Sequence, residues 1–346
     1  MSKPLIAELV GRRQKRVPFW LMRQAGRYLP EYQRLRAESP DFLKFCYSPA
    51  LTIEAALQPL QRFRPDAAIL FSDILVIPDA LGCSVRFVEG SGPLLEPVRS
   101  EDAIPRCEPG RLEERLGPVF ASVEGLRPRL PADVALIGFA GAPWTVAVYM
   151  VEGRGGTECQ TVRSWAYGDP DGFGKLIDTL VEATTWYLRR QVQSGAEVIQ
   201  VFDSWAGRLS EPEFRRWVIQ PTARICAALK AEWPELPIIG FPRGAGALYR
   251  AYAVETGVDA VSLDAGVPLA WAATTLQIGC TLQGNLDNLL LRIGTPALPN
   301  EVERILQTLG SGPFVFNLGH GILPETPVEH VAALAEQIRA WRRGGT

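Results

Sequence analysis

Short apolar runs rich in β-branched residues alternate with longer amphipathic stretches from one end of the chain to the other, the pattern of repeated βα units and a parallel sheet. Eight such runs predict strands near Pro18 to Leu21, Ala67 to Phe71, Val134 to Phe139, Val198 to Phe202, Pro237 to Phe241, Ala260 to Leu263, Thr281 to Gln283 and Pro313 to Asn317. Between them, apolar residues at three-to-four spacing predict helices such as Pro49 to Phe63, Gly172 to Gln193, Glu211 to Glu232 and Thr326 to Trp341. Eight strands with helices between them predict an α/β protein closed as a (β/α)8 barrel. A doubly wound open sheet shares this periodicity and stays open on pattern alone. Val85 to Arg111, rich in Gly, Pro and Glu, reads as an irregular excursion after the second strand. Neither a tandem repeat nor a Gly/Ser linker interrupts the chain, so residues 1–346 are expected to form a single domain.

Composition narrows the function. With 47% hydrophobic residues and a formal net charge of −2, the chain can bury a large core and lacks the basic excess of a nucleic-acid footprint. The six cysteines are widely spaced and read as buried free thiols, and the absence of an apolar leader points to a reducing cytoplasm. The uncharged segment Val134 to Val151 is long enough to suggest a membrane span. Gly138, Gly141 and Pro143 break it into a strand feeding a helix, and no membrane association is expected. Two histidines, His320 and His330, are too few for a zinc site built on several imidazoles.

In barrels of this kind the reacting groups sit just after the strands. The first run is followed by Arg23-Gln24-Ala25-Gly26-Arg27, two arginines four residues apart. A guanidinium keeps its proton and offers a planar fork to carboxylates, so the pair reads as an anion clamp, both heads on one side if the segment turns helically. A salt-bridged surface loop is the plain alternative. After the later runs come Ser72-Asp73, Gly141 leading to Tyr149, Asp203-Ser204-Trp205, Arg243, Asp264, Gln283 to Asp287, and Gly319-His320-Gly321. Singly, Asp73 or Ser204 could cap a helix, Tyr149 could be core, and His320 could be a satisfied loop imidazole. Together they predict one mouth for an anionic substrate, with no dinucleotide fingerprint, phosphate loop or metal cluster.

At these residues the sequence resembles the uroporphyrinogen decarboxylase family. The resemblance is carried by Met22-Arg23-Gln24-Ala25-Gly26-Arg27-Tyr28-Leu29-Pro30-Glu31-Tyr32, by Gly138 to Thr145 running on to Tyr149-Met150, and by four shorter blocks at Phe71 to Leu75, Phe202 to Gly207, Gln283 to Asp287 and Phe316 to Gly321. It implies a distorted (β/α)8 TIM barrel, a homodimer with facing clefts, no cofactor and no metal. The implied activity is decarboxylation of the four acetate side chains of uroporphyrinogen III to methyls, giving coproporphyrinogen III. Carried over residue by residue, it implies catalytic roles for Asp73, Arg23 and Arg27. Arg23, Gln24, Ala25, Gly26, Arg27, Asp73, Tyr149, Ser204 and His320 would bind substrate. Tyr149, Ser204 and His320 are assigned to orienting carboxylates, although an imidazole ordinarily titrates where proton exchange near neutrality is easy. The chain departs from the family at Ala265, where a tryptophan is expected, and at Asn288, where a proline is common. A non-catalytic tetrapyrrole carrier and a corrinoid methyltransferase of the same fold are the competing readings.

Overall fold

The computed structural model describes residues 3–88 and 90–344. Its strands are β1 (Ala67–Ile69), β2 (Val85–Val88), β3 (Gly92–Leu95), β4 (Ala135–Gly141), β5 (Val198–Asp203), β6 (Ile238–Pro242), β7 (Ala260–Ser262), β8 (Thr281–Leu286) and β9 (Phe314–Leu318). Seven of them form one parallel sheet in the order β1-β4-β5-β6-β7-β8-β9, and β2 and β3 make a separate antiparallel pair. Helices connect successive parallel strands, as parallel pairing requires.

The eighth predicted strand, Pro18 to Leu21, is reduced to a single parallel bridge, Phe19 to Phe316. It still closes the ring. Phe316 N–H donates to the Pro18 carbonyl at 2.9 Å on one side, and Asp66 N–H donates to the Phe19 carbonyl at 2.8 Å on the other. The ladder is short for a local reason: Pro18 has no N–H, and the N–H of Phe19 is taken by the Asp66 carboxylate at 2.8 Å. The result is a distorted barrel of seven strands and one bridging segment.

Alternate side chains of the strands fill the interior: Ala67, Ala135, Ile137, Val198, Ile239, Phe241, Ala260 and Val315 pack with Trp20 and Met22 in one buried cluster. Leu5 and Leu9 of the helix Pro4–Leu9 join this cluster and plug the floor. Thr281 Oγ1, at the start of β8, donates to the Glu8 carbonyl at 3.1 Å, and Phe314 N–H, at the start of β9, donates to the Glu8 carboxylate at 2.9 Å. Glu8 also pairs with Arg343, the two being almost fully buried, so the first and last turns of the chain are clasped under the barrel. Higher in the interior, Trp20 Nε1 donates to Gln283 Oε1 at 2.8 Å and Gln283 Nε2 donates to Ser262 Oγ at 3.1 Å.

Elsewhere the predicted elements shift for identifiable reasons. The helix Pro49–Phe63 matches its expected span, and the long one runs Pro170–Gln193, begun by Asp169, whose Oδ1 accepts the Gly172 N–H at 2.9 Å. The stretch Glu211 to Glu232 stays helical but widens into a π-turn over Arg215–Ile219, just before Pro221. The wider turn relieves the clash of the proline ring with the preceding turn. Val85 to Arg111, expected to be irregular, contains the β2–β3 hairpin. Leu95 N–H donates to the Gly153 carbonyl at 2.8 Å and Val98 N–H to the Met150 carbonyl at 2.9 Å, which ties that excursion to the helix Pro143–Glu152. No helix among the described residues is long and apolar enough to cross a membrane.

Candidate active site

The arginine segment does not wind into a helix after Met22. Arg23 sits in the left-handed region at φ 62°, and the turn around it is stapled from both ends. Gln24 Oε1 accepts the Leu21 N–H at 3.1 Å, Gln24 Nε2 donates to the Ala67 carbonyl at 3.0 Å, and Met22 N–H donates to Asn317 Oδ1 at 2.9 Å. Gln24 is therefore buried, with both ends of its side-chain amide committed to the fold. Ala25 and Gly26 are half-buried, while Arg23 and Arg27 are exposed and pair with no carboxylate among the described residues. Arg23 lies against Gly321, where an added Cβ would come within 2.4 Å of Arg23 Cδ.

Asp73 follows β1 in a turn of its own making: Oδ1 accepts the Leu75 N–H at 2.9 Å, and no protein donor among the described residues engages Oδ2. Burial raises its pKa, while the Leu75 N–H and the Arg23 charge work against that rise. Tyr149, on the helix Pro143–Glu152, is half-buried with its ring edge-on to Trp205 at 6.4 Å between centroids. Burial raises the phenol pKa, with the Trp205 side chain and Arg23 opposing and Asp73 reinforcing. His320 is pushed down to about 4, by burial first and then by the charges of Arg23 and Arg243. It is a neutral imidazole at neutral pH, shifted away from the range in which an imidazole ordinarily exchanges protons near neutrality. Arg23 thus acts on Asp73, Tyr149 and His320 together. No such interaction joins Arg27 to that group among the described residues.

A cavity of about 590 Å³ opens at His320, lined by Ser204, Arg208, Arg243, Asp264, Asn288 and His320 among others, while Arg23, Arg27, Asp73 and Tyr149 lie outside its lining. Ser204 is half-buried and caps no helix; the helix Glu211–Phe214 starts at Ser210 instead. Asp264 and Asp287 line the cavity as expected of mouth residues, but their carboxylates are engaged by the protein. Asp264 accepts from Gly244 N–H, the Tyr249 hydroxyl and Gly266 N–H at 2.8, 2.8 and 2.9 Å, and Asp287 caps the next helix through Leu289 N–H at 2.8 Å. Gln283 belongs to the interior network described above, and Asn285 donates to the carbonyls of Asp264 and Val267. The two departures from the family touch the His320 loop. A Cβ on Gly319 would lie 2.3 Å from Ala265 N, and Asn288 Nδ2 donates to the Gly321 carbonyl at 2.7 Å.

Sequence reasoning missed Asp203 as a titrating group. It is fully buried, Oδ1 accepts from the Thr145 hydroxyl, Oδ2 has no partner among the described residues, and its pKa is raised to about 7, mainly by desolvation. Thr145 Oγ1 in turn accepts the Trp205 N–H at 3.1 Å, so this carboxyl holds the loop that carries Ser204. The apolar residues flanking Asp203 in β5 signalled its burial. No group of three or more His, Cys, Asp or Glu side chains arranged to hold a metal occurs among the described residues.

The model of the family described as uroporphyrinogen decarboxylase (URO-D) matches residues 2–341. The chain belongs to that family. A uroporphyrinogen decarboxylase from Rhodospirillum rubrum is 56% identical over 341 residues, covering 99% of this chain and 98% of the relative. One from Chelativorans sp. is 50% identical, covering 99% of each. Among solved structures, a methyltransferase from Methanosarcina mazei superposes with a TM-score of 0.79 over 98% of both chains, at 19% identity. That likeness bears on the fold alone. Family membership makes the protein a carboxy-lyase.

Proposed function

We propose that this chain removes carbon dioxide from the four acetate side chains of uroporphyrinogen III, leaving methyls and giving coproporphyrinogen III in tetrapyrrole synthesis, with no bound prosthetic group. The observation that carries the residue-level reading is Asp73, a carboxylate after β1 with one oxygen fixed by Leu75 and the other uncommitted, next to Arg23. Losing carbon dioxide from an alkyl carboxylate needs an electron sink. Here the substrate supplies one. Protonating the pyrrole carbon next to an acetate makes an iminium-like ring that takes the electron pair as the carbon–carbon bond breaks. A fixed carboxylate at Asp73, accepting the pyrrole N–H groups, gains attraction as the ring becomes cationic, so it favours the transition state over the ground state.

Arg23 and Arg27 are read as the clamp for acetate or propionate carboxylates, each charge-assisted contact contributing roughly 1.5–3 kcal/mol. Tyr149, Ser204 and His320 are read as orienting groups. The raised phenol and lowered imidazole pKa values support this for Tyr149 and His320, since both stay neutral and available as hydrogen-bond partners at neutral pH. Gln24, Ala25 and Gly26 then serve by holding the turn that presents the two arginines. The same reading takes residues 1–346 as one domain acting as a cytoplasmic homodimer with facing clefts.

The test is anaerobic incubation of the purified protein with uroporphyrinogen. Coproporphyrinogen and carbon dioxide should accumulate in step, and pretreatment with a chelator should leave the rate unchanged. Tight binding with no carbon dioxide release would instead make the protein a tetrapyrrole carrier. Light scattering of the same sample, giving a mass near twice that of the chain, tests the dimer.

A further inference from the structure

We propose that Arg243 is a further substrate-binding residue, its guanidinium gripping a carboxylate of the tetrapyrrole on the side of the mouth opposite Arg23, in the cavity it shares with Ser204 and His320. The inference rests on the uroporphyrinogen reading. It begins with the order of the ring. Starting from the Pro18 to Leu21 segment, β6 is the fourth strand whichever way the barrel is followed. Arg243, which directly follows β6, therefore leaves the rim across from Arg23. A macrocycle with acidic side chains around its whole edge, gripped only by Arg23 and Arg27, would have its far edge unheld.

The Arg243 charge is uncommitted. It is exposed and has no carboxylate within salt-bridge distance among the described residues, whereas Arg208 in the same cavity is paired with Glu158 at 3.0 Å. The two acids that also line the cavity do not answer it: Asp264 is consumed by Gly244, Tyr249 and Gly266, and Asp287 by Leu289. The residue stands on a rigid base. Arg243 N–H donates to the Asp203 carbonyl at 3.0 Å, and its own carbonyl accepts the Gly207 N–H at 3.0 Å, which joins the loops after β5 and β6. Those loops meet so closely that a Cβ on Gly207 would lie 2.6 Å from the Gly244 carbonyl oxygen. Finally, Arg243 and Arg23 both act on His320, so one carboxylate near His320 can feel a guanidinium from either side. Arg243 supplies the charge, and the half-buried Ser204 hydroxyl and neutral His320 supply hydrogen bonds to the same anion.

The experiment compares the wild-type chain with Arg243→Gln and Arg243→Lys. Kd for uroporphyrinogen and for coproporphyrinogen is read from quenching of tryptophan fluorescence, with KM and kcat measured alongside. Arg243→Gln should raise Kd and KM for uroporphyrinogen about 10- to 100-fold, more than it lowers kcat, and Arg243→Lys should recover part of the loss. Weakening of both tetrapyrroles identifies the gripped group as a propionate, and weakening of uroporphyrinogen alone identifies an acetate. A Kd within twofold of wild type for both ligands overturns the proposal. Because the chain has only two histidines, the His320 ring resonance can be followed directly, with a His330→Gln control for assignment. Its titration midpoint should rise in Arg243→Gln, and in wild type it should rise when coproporphyrinogen binds if the anion is a propionate. If wild-type protein binds uroporphyrinogen but releases no carbon dioxide, the decarboxylase reading fails while the Kd ratio still decides the role of Arg243.

Discussion

Replacing Asp203 by asparagine should make the protein more stable in mildly alkaline solution. The carboxyl is fully buried at the end of β5, one oxygen bonded to the Thr145 hydroxyl and the other without a partner, and desolvation lifts its pKa from 3.8 to about 7. A raised folded-state pKa means that the native state holds the proton more tightly than the unfolded chain does. Its contribution is then fully present below about pH 4 and is lost as pH climbs through about 7. With 1.36 kcal/mol for each pH unit between 3.8 and 7, the loss above pH 8 comes to roughly 4 kcal/mol as an upper figure. Asparagine has nearly the shape of the protonated acid, keeps an oxygen for Thr145 and cannot ionise. Chemical denaturation of both proteins between pH 4.5 and 8.5 measures the effect. The asparagine variant should lie close to wild type at the acid end and draw ahead by several kcal/mol at the alkaline end. Other titrating groups are common to both proteins, so the difference isolates this carboxyl. Parallel stability curves across the range would refute the reasoning.

Asp73→Asn should lower kcat on the order of 10² to 10³ while leaving the melting temperature close to wild type, because the lost group acts on a charge that develops only during reaction; a variant with wild-type turnover would remove Asp73 from the chemistry. Arg343→Ala strands the Glu8 carboxylate, which is 0% exposed, without its cation and should cost about 3–5 kcal/mol by urea denaturation, with little change in KM for protein that remains folded. Gly321→Ala places a methyl within 2.4 Å of Arg23 Cδ, and the flexible arginine must swing away. Its KM for uroporphyrinogen should then rise about tenfold, as expected for loss of one charge-assisted contact, with an unchanged circular dichroism spectrum; an unaltered KM would show that Arg23 does not need its present place.

Most of the barrel was legible in the sequence because period-two and period-3.6 patterns survive wherever one face of an element is buried. The helix Pro49–Phe63 and the seven parallel strands follow from that alone. What failed were the places where a side chain competes with the backbone. Asp66 takes a strand donor from Phe19, Gln24 staples a turn that spacing suggested as helical, and Asp264, although it lines the cavity, spends its carboxylate on three protein donors. Site chemistry was legible as residue types but not as protonation states. His320 carries the same letter whether it titrates near neutrality or near 4, and its burial, followed by the charges of Arg23 and Arg243, decides between them. Asp203 shows the converse, an acid read with the polar residues after the fourth strand that is in fact the buried last residue of β5, with a pKa raised to about 7.

The ring is joined by residues from opposite ends of the polypeptide: Met22 N–H meets Asn317 Oδ1 across 295 positions, and Phe316 meets Pro18 nearby. During synthesis, β1 through β8 can leave the ribosome and pair in succession, yet the cylinder stays open like an unrolled sheet until β9 emerges. Arg23 and the loop bearing His320 come together across that same seam. A chain truncated before Phe314 therefore loses the sealing strand and the reactive rim in one stroke, and such separations in sequence make for slow folding.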